Sequence, residues 1–495
     1  MKKVYIFILW CFPLISFAQV QIGQDIDGEA AGDFFGTGVS LSADGTTLAI
    51  GACFNDGDNG EDSGHVRVFE NQNGNWIQIG QDIDGEDFQD RSGSVSISDN
   101  GTVLAVGARF NDGNGQISGH VRVFENINGI WMQIGQDIDG EAAGDSFSNA
   151  RIDLSSNGLI LAAGAPNNDN AGSNFGNVRI FEFINNEWAQ IGEDIQGDEG
   201  NAMFGGRLSL SSDGNIVAIS AFRNGSNGED SGQVKVYENQ NGNWVQIGQD
   251  INGEMSEELF GEEVVLSCDG SILAISAPLN TETGEIIGQV RVYENQNGNW
   301  VQIGQDVSGE VSESSLGELF GEGLALSCDG IILAVGAPEN SDSETDSGQV
   351  RIYQNQNGNW IQIGQNIDGE SSFDRSGFNM AFSSDSSILA IGANGNNGNG
   401  SNSGHVRVFD LSDLLSNEES TITQFELFPN PAKDILNIQL QQGVLLENIN
   451  IYNNLGQFIQ SSKELIVDIS DLSQGVYFIE VNTNQGKSSK KLIIE

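Results

Sequence analysis

The sequence predicts an all-β protein, a seven-bladed β-propeller followed by a small C-terminal β-sandwich, and three observations carry that prediction. A Gly-x-Val-Arg/Lys-Val/Ile-aromatic element occurs seven times, beginning at Gly64, Gly119, Gly176, Gly232, Gly288, Gly348 and Gly404. A tryptophan follows it six times, at Trp76, Trp131, Trp188, Trp244, Trp300 and Trp360, with a period of 55 to 60 residues. That period is long for most helical repeats and suits four short strands with their loops. The ends of the array are also complementary. Gln19 falls in register with the tryptophan, so the segment QVQIGQDI is a fourth strand with no third strand before it, whereas the last repeat stops after its third strand at Asp410. Joined, the two halves close a ring without exposed edges; an open solenoid would leave both unpaired.

The chain opens with two lysines, an apolar run from Val4 to Phe17, and Ser16-Phe17-Ala18 before Gln19. This pattern reads as a secretory signal peptide over residues 1–18. Its apolar run is short for a membrane span, and no later stretch is apolar for long enough. Residues 19–410 then form the propeller.

Within one repeat, strand A is expected from Phe35 to Ser42 and strand B from Thr46 to Ala52, with a tight turn at Asp44-Gly45. Strand C runs from His65 to Glu70 and strand D from Trp76 to Ile83, across the four-residue loop Asn71-Gln72-Asn73-Gly74. Pairing Glu70 with Asn75 would set Phe69 against Trp76 and Arg67 against Gln78, with aliphatic residues on the other face. Blades bury both faces against their neighbours, so both need packing material.

These units resemble FG-GAP repeats, the blades of integrin-alpha-type propellers. Phe35-Gly36, Phe204-Gly205, Phe260-Gly261 and Phe320-Gly321 match the FG element, and Gly164-Ala165-Pro166 and Gly336-Ala337-Pro338 the GAP element. Ser92-Gly93 and Ser376-Gly377 depart from it in the second and seventh repeats. The S-x-D-G-x-x-L-A phrase, as in Ser211 to Ala218, also resembles WD40-like repeats, which implies the same architecture.

Residues 411–424, rich in Ser, Asn and Glu, read as a linker. The segment 425–495 alternates strands with Gly and Asn turns. It resembles the C-terminal sorting domain of the type IX (Por) secretion system through Phe428-Pro429-Asn430-Pro431, Leu455-Gly456-Gln457, Gly475-Val476-Tyr477-Phe478 and the terminal Lys490-Lys491-Leu492-Ile493-Ile494. The resemblance implies the type IX machinery as a partner through residues 425–495, Sec export, passage across the outer membrane, and an extracellular or cell-surface address.

With Lys plus Arg 20 against 70 acidic residues, the formal net charge is -50. Such a surface repels nucleic acid and anionic lipid and favours divalent cations or basic partners. The longer loops between strands B and C share one rim with the DIDGE connectors, and variable loops on a rigid scaffold are where binding usually lies. The loop NDGDNGEDS offers Asp56, Asp58, Glu61 and Asp62 as oxygen ligands for calcium, against solvated turns as the competing reading. The integrin-type calcium loop is not carried over, because the place between FG and GAP holds only Ser-x-Asp-Gly.

His65, His120 and His405 share one repeat position that elsewhere holds Asn177, Gln233, Gln289 and Gln349, which points to a polar strand-start role rather than one shared metal. Arg67 and its equivalents read as inter-blade packing or ion pairs. Beyond the first 18 residues, Cys53, Cys268 and Cys328 are read as free thiols, with a Cys268–Cys328 disulfide as the alternative. No nucleophile elbow, Cys-x-x-Cys pair, His-Glu-x-x-His helix or phosphate loop occurs. The expected function is therefore a non-enzymatic binding or adhesion propeller for an extracellular glycan or protein. The alternatives are a carbohydrate-active hydrolase or lyase on the same fold, or a structural surface protein. A buried carboxylate cluster present in only one or two blades, or turnover on a polysaccharide panel, would reverse this order and put the enzyme first.

Overall fold

A computed structural model describes residues 19–148, 151–282, 284–312, 317–415, 425–440, 445–453, 458–470, 472–483 and 486–494. The expected signal peptide, most of the linker and the Leu455-Gly456-Gln457 motif lie outside these residues. The chain divides into two compact units, residues 1–414 and 415–495.

Among the described residues, the first unit contains seven antiparallel sheets of four or five strands, one per repeat. In the first blade, strand A is Gly38–Leu41, B is Thr47–Ala52, C is His65–Asn71, and D is broken into Trp76–Gln78 and Ile83–Asp84. The order is A-B-C-D, and both pieces of D pair with C. Strand A begins later than expected: Phe35 precedes it and forms an isolated bridge to Gly404 of the neighbouring blade. Strand B is buried at every position, consistent with the apolar run TLAIGA.

The C–D hairpin differs from its sequence reading by two residues. Phe69 pairs with Gln78, Glu70 with Ile77 and Asn71 with Trp76. The loop is therefore two residues, Asn73 and Gly74, at φ 57° and 85°. Positive φ at both central residues defines the type I′ turn whose twist suits a hairpin, so Asn-Gly, rather than a four-residue loop, sets the register. A shift of two leaves each side chain on its face but separates Phe69 from Trp76. A cross-strand aromatic pair of the expected kind occurs in the third blade, where Phe183 opposes Trp188 with ring centroids 5.1 Å apart.

Freed from that pairing, each tryptophan ties its blade to the one before. Trp76 Nε1 donates to Ile22 O at 3.1 Å, and Trp131, Trp188, Trp244, Trp300 and Trp360 donate to Ile79, Ile134, Ile191, Ile247 and Ile303. At the seventh blade Gln19 takes this place and donates to Gln365 O at 2.7 Å. The arginine of the repeat is a second tie. Arg67 is buried, its guanidinium lies 4.4 Å from the Phe35 ring centroid, and it donates to Asp27 O at 2.7 Å across the blade boundary. A desolvated cation–π contact of this kind contributes about 2 kcal/mol. In the sixth blade Arg351 makes a two-pronged pair with buried Glu318, both contacts at 2.8 Å. The glycine of DIDGE allows the connector to pass: a Cβ at Gly85 would lie 2.0 Å from Ser63 O.

Two features close the ring. Val20 pairs with Asp410 and Gln21 with Phe409, while Ile26 pairs with Val406, so the N-terminal segment completes the last blade. At the A–B turns, backbone bonds run from Ala43 to Asp99, Asp99 to Ser156, Ser156 to Ser212, Ser212 to Cys268, Cys268 to Cys328 and Ser384 to Ala43, at 2.8 to 3.0 Å. The last of these joins the final blade to the first. This belt also corrects the reading of the cysteines as free thiols. It brings the Cys268 and Cys328 Cα atoms to 4.6 Å, and they form a disulfide, leaving Cys53 as the free cysteine among the described residues.

In the second unit, Glu426–Phe428, Ile435–Gln439 and Ile466–Asp468 form one sheet. Phe458–Ser462, Leu446–Asn453, Gly475–Thr483 and Gly486–Ile494 form the other. Phe425, Leu436, Ile451, Ile479 and Leu492 lie in the core between them. Two of the sorting motifs meet here: Asn430 Nδ2 donates to Lys491 O at 2.8 Å, and Ile493 N donates to Asn430 Oδ1 at 2.9 Å.

Deleting residues 19–27 removes the closing strand and exposes strand C of the last blade as an edge. The truncated protein is expected to melt about 5 °C or more below the intact one and to aggregate, read by scanning calorimetry and light scattering. Equal melting would remove the closure argument. Reduction of Cys268–Cys328, which spans 60 residues, is expected to cost about 4 kcal/mol of stability in denaturant unfolding. Without reductant, a denatured chain starting at Gln19 should titrate as one thiol.

Candidate functional site: the charged cup at the mouth of the channel

The seven A strands line a central cavity of about 260 Å³. Backbone N–H groups of these innermost strands are taken up by the preceding blade's side chains. Ile97 N donates to Ser40 Oγ, Leu154 N to Ser96 Oγ, Leu210 N to Asp153 Oδ2 and Leu266 N to Ser209 Oγ. Asp153 breaks the series as a carboxylate, and burial pushes its pKa up to about 6.

Above this layer the channel opens into a cup of about 410 Å³ on the side of the B–C loops, sharing Thr37, Ser94, Arg151 and Asn379 with the cavity below. Its rim is set by backbone geometry. The residue before the FG position has positive φ in every blade: Phe34, Arg91, Ser146, Met203, Leu259, Leu319 and Arg375, between 52° and 61°. Bulky residues rarely accept this region, and such strain persists only where the surroundings fix it. Here the fixed element is the following residue, locked by the neighbouring blade as Phe35 is by Ser403 O at 3.0 Å.

The side chains of the cup break the sevenfold pattern. Arg91, Arg109, Arg151, Arg207 and Arg375 all line it, a quarter of the 20 basic residues in the chain. Across its floor, Arg151 reaches Glu263 at 2.8 Å, and Arg207 pairs with Glu262 at 2.6 Å and Glu263 at 3.1 Å. Arg91 lies over Phe54 at 4.4 Å and Phe110 at 5.0 Å and pairs with Asp62 at 3.5 Å, while Arg375 pairs with Glu339 at 2.8 Å. Burial, with Arg91 and Arg207 nearby, lowers the pKa of Arg109. Glu322 is pushed up to about 7 by burial and by the Glu262 carboxylate. Burial also raises the Cys53 thiol, which keeps it protonated and unreactive at neutral pH.

The residues singled out from sequence fall elsewhere. Asp56, Asp58 and Glu61 are exposed, Asp62 half-buried, and among the described residues none of the four joins a group of three metal-capable side chains with ligand atoms within 4.8 Å. Asp56 Oδ1 accepts Asp62 N at 3.0 Å, and Asn397 does the same for Asn402 N in the seventh blade, so this contact organises the loop without needing a charge. His65, His120 and His405 are buried at the start of strand C, and burial, reinforced by the adjacent arginine, lowers each pKa to about 4. The cup arginines were not found from sequence. Their signal was available as departures from the repeat: Arg109 stands where other blades have Cys53, Pro166 or Pro338, and Arg151 and Arg207 stand where the first blade has Gly38.

Two segments match known protein families. Residues 26–69 match the FG-GAP repeat, and residues 426–495 match the secretion system C-terminal sorting domain. No curated protein sequence matches the chain. Among solved structures, hydrazine synthase of Kuenenia stuttgartiensis is similar at 13% identity and TM-score 0.47, covering 75% of this chain and 94% of that one. The periplasmic gluconolactonase of Pseudomonas aeruginosa is similar at 18% identity and TM-score 0.45, covering 67% and 86%. The chain thus carries an FG-GAP repeat in its first blade and the C-terminal sorting domain of the type IX secretion system, which marks proteins exported to the cell surface or the extracellular space.

Proposed function

We propose that the exported propeller is a non-enzymatic binding module that holds an anionic extracellular glycan, one bearing carboxylate or sulfate groups, in the cup. The observation that carries this reading is the convergence of five arginines in one cavity of a chain with a formal net charge of -50. Guanidinium groups present paired donors that match carboxylate and sulfate oxygens. Phe34, Phe54 and Phe378 add apolar rings to the same lining, suited to the C–H face of a sugar. The surrounding acidic surface then acts as a filter, repelling polyanions that do not fit the cup.

The second reading, a carbohydrate-active hydrolase or lyase, is favoured by one observation. Glu262, Glu263 and Glu322 form a carboxylate cluster confined to the fifth and sixth blades, which is the asymmetry expected of an active site. Against it, Glu262 is engaged by Arg207, and Glu263 by both Arg207 and Arg151, in ion pairs. Glu322, near pH 7 in its ionisation, is the group able to exchange a proton.

Calorimetric titration with uronate-containing, sulfated and neutral oligosaccharides checks the binding reading. Anionic ligands are expected to bind and neutral ones not, with Arg109→Ala weakening binding about 10- to 100-fold. Equal affinity for neutral sugars would overturn it, and product release from a polyuronate that Glu322→Gln abolishes would establish the enzyme instead. The pH dependence has a defined sign. Glu322 is neutral below about 7 and anionic above it, where it competes for the arginines. Affinity should therefore fall as pH rises from 6 to 8 in the native protein and stay level in Glu322→Gln.

A further inference from the structure

The three buried histidines stand in a setting that the cup does not explain. Each lies between two carboxylates, in the groups Glu29–His65–Asp82, Glu86–His120–Asp137 and Asp25–Glu370–His405, with one ligand atom from each residue within 4.8 Å of the others. The glutamate comes from the connector entering the blade, the histidine from the start of strand C, and the aspartate from the D segment of the same blade. The histidines are 1% exposed, and the Nε2 atoms of all three are buried without a hydrogen-bond partner.

The same position in the third blade shows what this arrangement requires. Asn177 Nδ2 donates there to both equivalent carboxylates, Glu141 and Asp194, each at 3.2 Å. Two acidic groups face one another, and an amide with two N–H donors spans them. A neutral imidazole has a single N–H and cannot do so. In the second blade the His120 Nδ1 to Glu86 Oε2 distance is 3.7 Å, beyond hydrogen-bond length. The carboxylates are nonetheless presented for use. Gln78 Nε2 holds Asp82 Oδ1 at 2.6 Å, and Gln133 and Gln21 hold Asp137 and Asp25 in the same way, leaving the second oxygen of each free of that bond. Such outer partners are how carboxylate ligands are oriented. The other oxygen of Glu86 contacts Arg122 at 3.4 Å, and Glu29 and Glu370 contact Arg67 and Arg407 at 3.4 and 3.6 Å.

We propose that these three inter-blade groups are binding sites for a divalent transition ion of the zinc type, one per group, each held by one imidazole nitrogen and two carboxylates with water completing the shell. An imidazole with carboxylates selects zinc over calcium, which takes oxygen ligands. Zinc–ligand distances of about 2.0 to 2.2 Å need the three ligand atoms to draw together slightly, and the half-exposed glutamates have room to move. The Asp25 group joins the N-terminal strand to the last blade, so an ion there would clip the ring closure.

Equilibrium dialysis of the purified full chain against zinc, with excess calcium to occupy diffuse acidic sites, tests the proposal. The native protein should take up three zinc ions. The triple variant His65→Gln, His120→Gln, His405→Gln, which carries the residue native to three other blades, should lose that uptake. Asn177→His should create a fourth site beside Glu141 and Asp194, a gain that stands even if the triple variant folds poorly. Cobalt in place of zinc should give visible absorption that the triple variant lacks. No uptake by the native protein, or equal uptake by native and triple variant, overturns the proposal and assigns the ions to the acidic surface.

Discussion

A ring of sheets has no tolerance for a missing strand, and this protein meets that constraint with its two ends. The last repeat supplies three strands and the N-terminal segment the fourth, so Val20 and Ile26 pair with a strand nearly 400 residues away. Every other inter-blade tie presupposes this closure. The tryptophan bonds, the buried arginines and the belt of turn hydrogen bonds each link a blade to its neighbour. In an open chain the terminal blades would expose those groups to water and lose the ties they make.

Closure also explains how a strained and asymmetric cup is tolerated. Each blade is held on both sides, so the backbone before the FG position is fixed in the left-handed region regardless of which side chain it carries. Phe34, Arg91, Leu259 and Arg375 all occupy it. The scaffold separates roles by depth. Positions between blades keep to a few residue types, because packing and hydrogen bonding repeat there. Positions facing the channel meet no repeating partner, so arginines, glutamates and aromatic rings gather in one place without disturbing the fold. The histidine groups lie between these regimes: their position repeats, but its occupant changes from His to Asn or Gln, with both carboxylates kept except in the sixth blade, where Asn366 replaces the aspartate.

Much of the fold was legible because it rests on local or repeated signals. Repeat length, strand order, Arg67 as an inter-blade residue and the pairing of orphan strands all followed from residue types and register. The errors have one physical source. The C–D register was read from loop length, when the backbone preference of Asn73-Gly74 decides it, and Trp76 was given a partner in its own hairpin, when its indole bonds to the preceding blade. For Cys268 and Cys328, sequence separation hid a contact that exists because A–B turns converge at the narrow end of the channel. The candidate site was less legible still, since the cup gathers residues from all seven blades that share no motif.

The sequence by itself determined the repeated sheets, the complementary ends and the sorting domain, because alternation, turn chemistry and terminal motifs are properties of neighbouring residues. Only the tertiary structure decided which charges meet. Curvature brings Arg151 to Glu263 across the floor of the cup, and it sets His65 between an aspartate of its own blade and a glutamate of the connector before it. Electrostatic and coordination chemistry depend on distances of a few ångströms, and those are fixed by closing the ring.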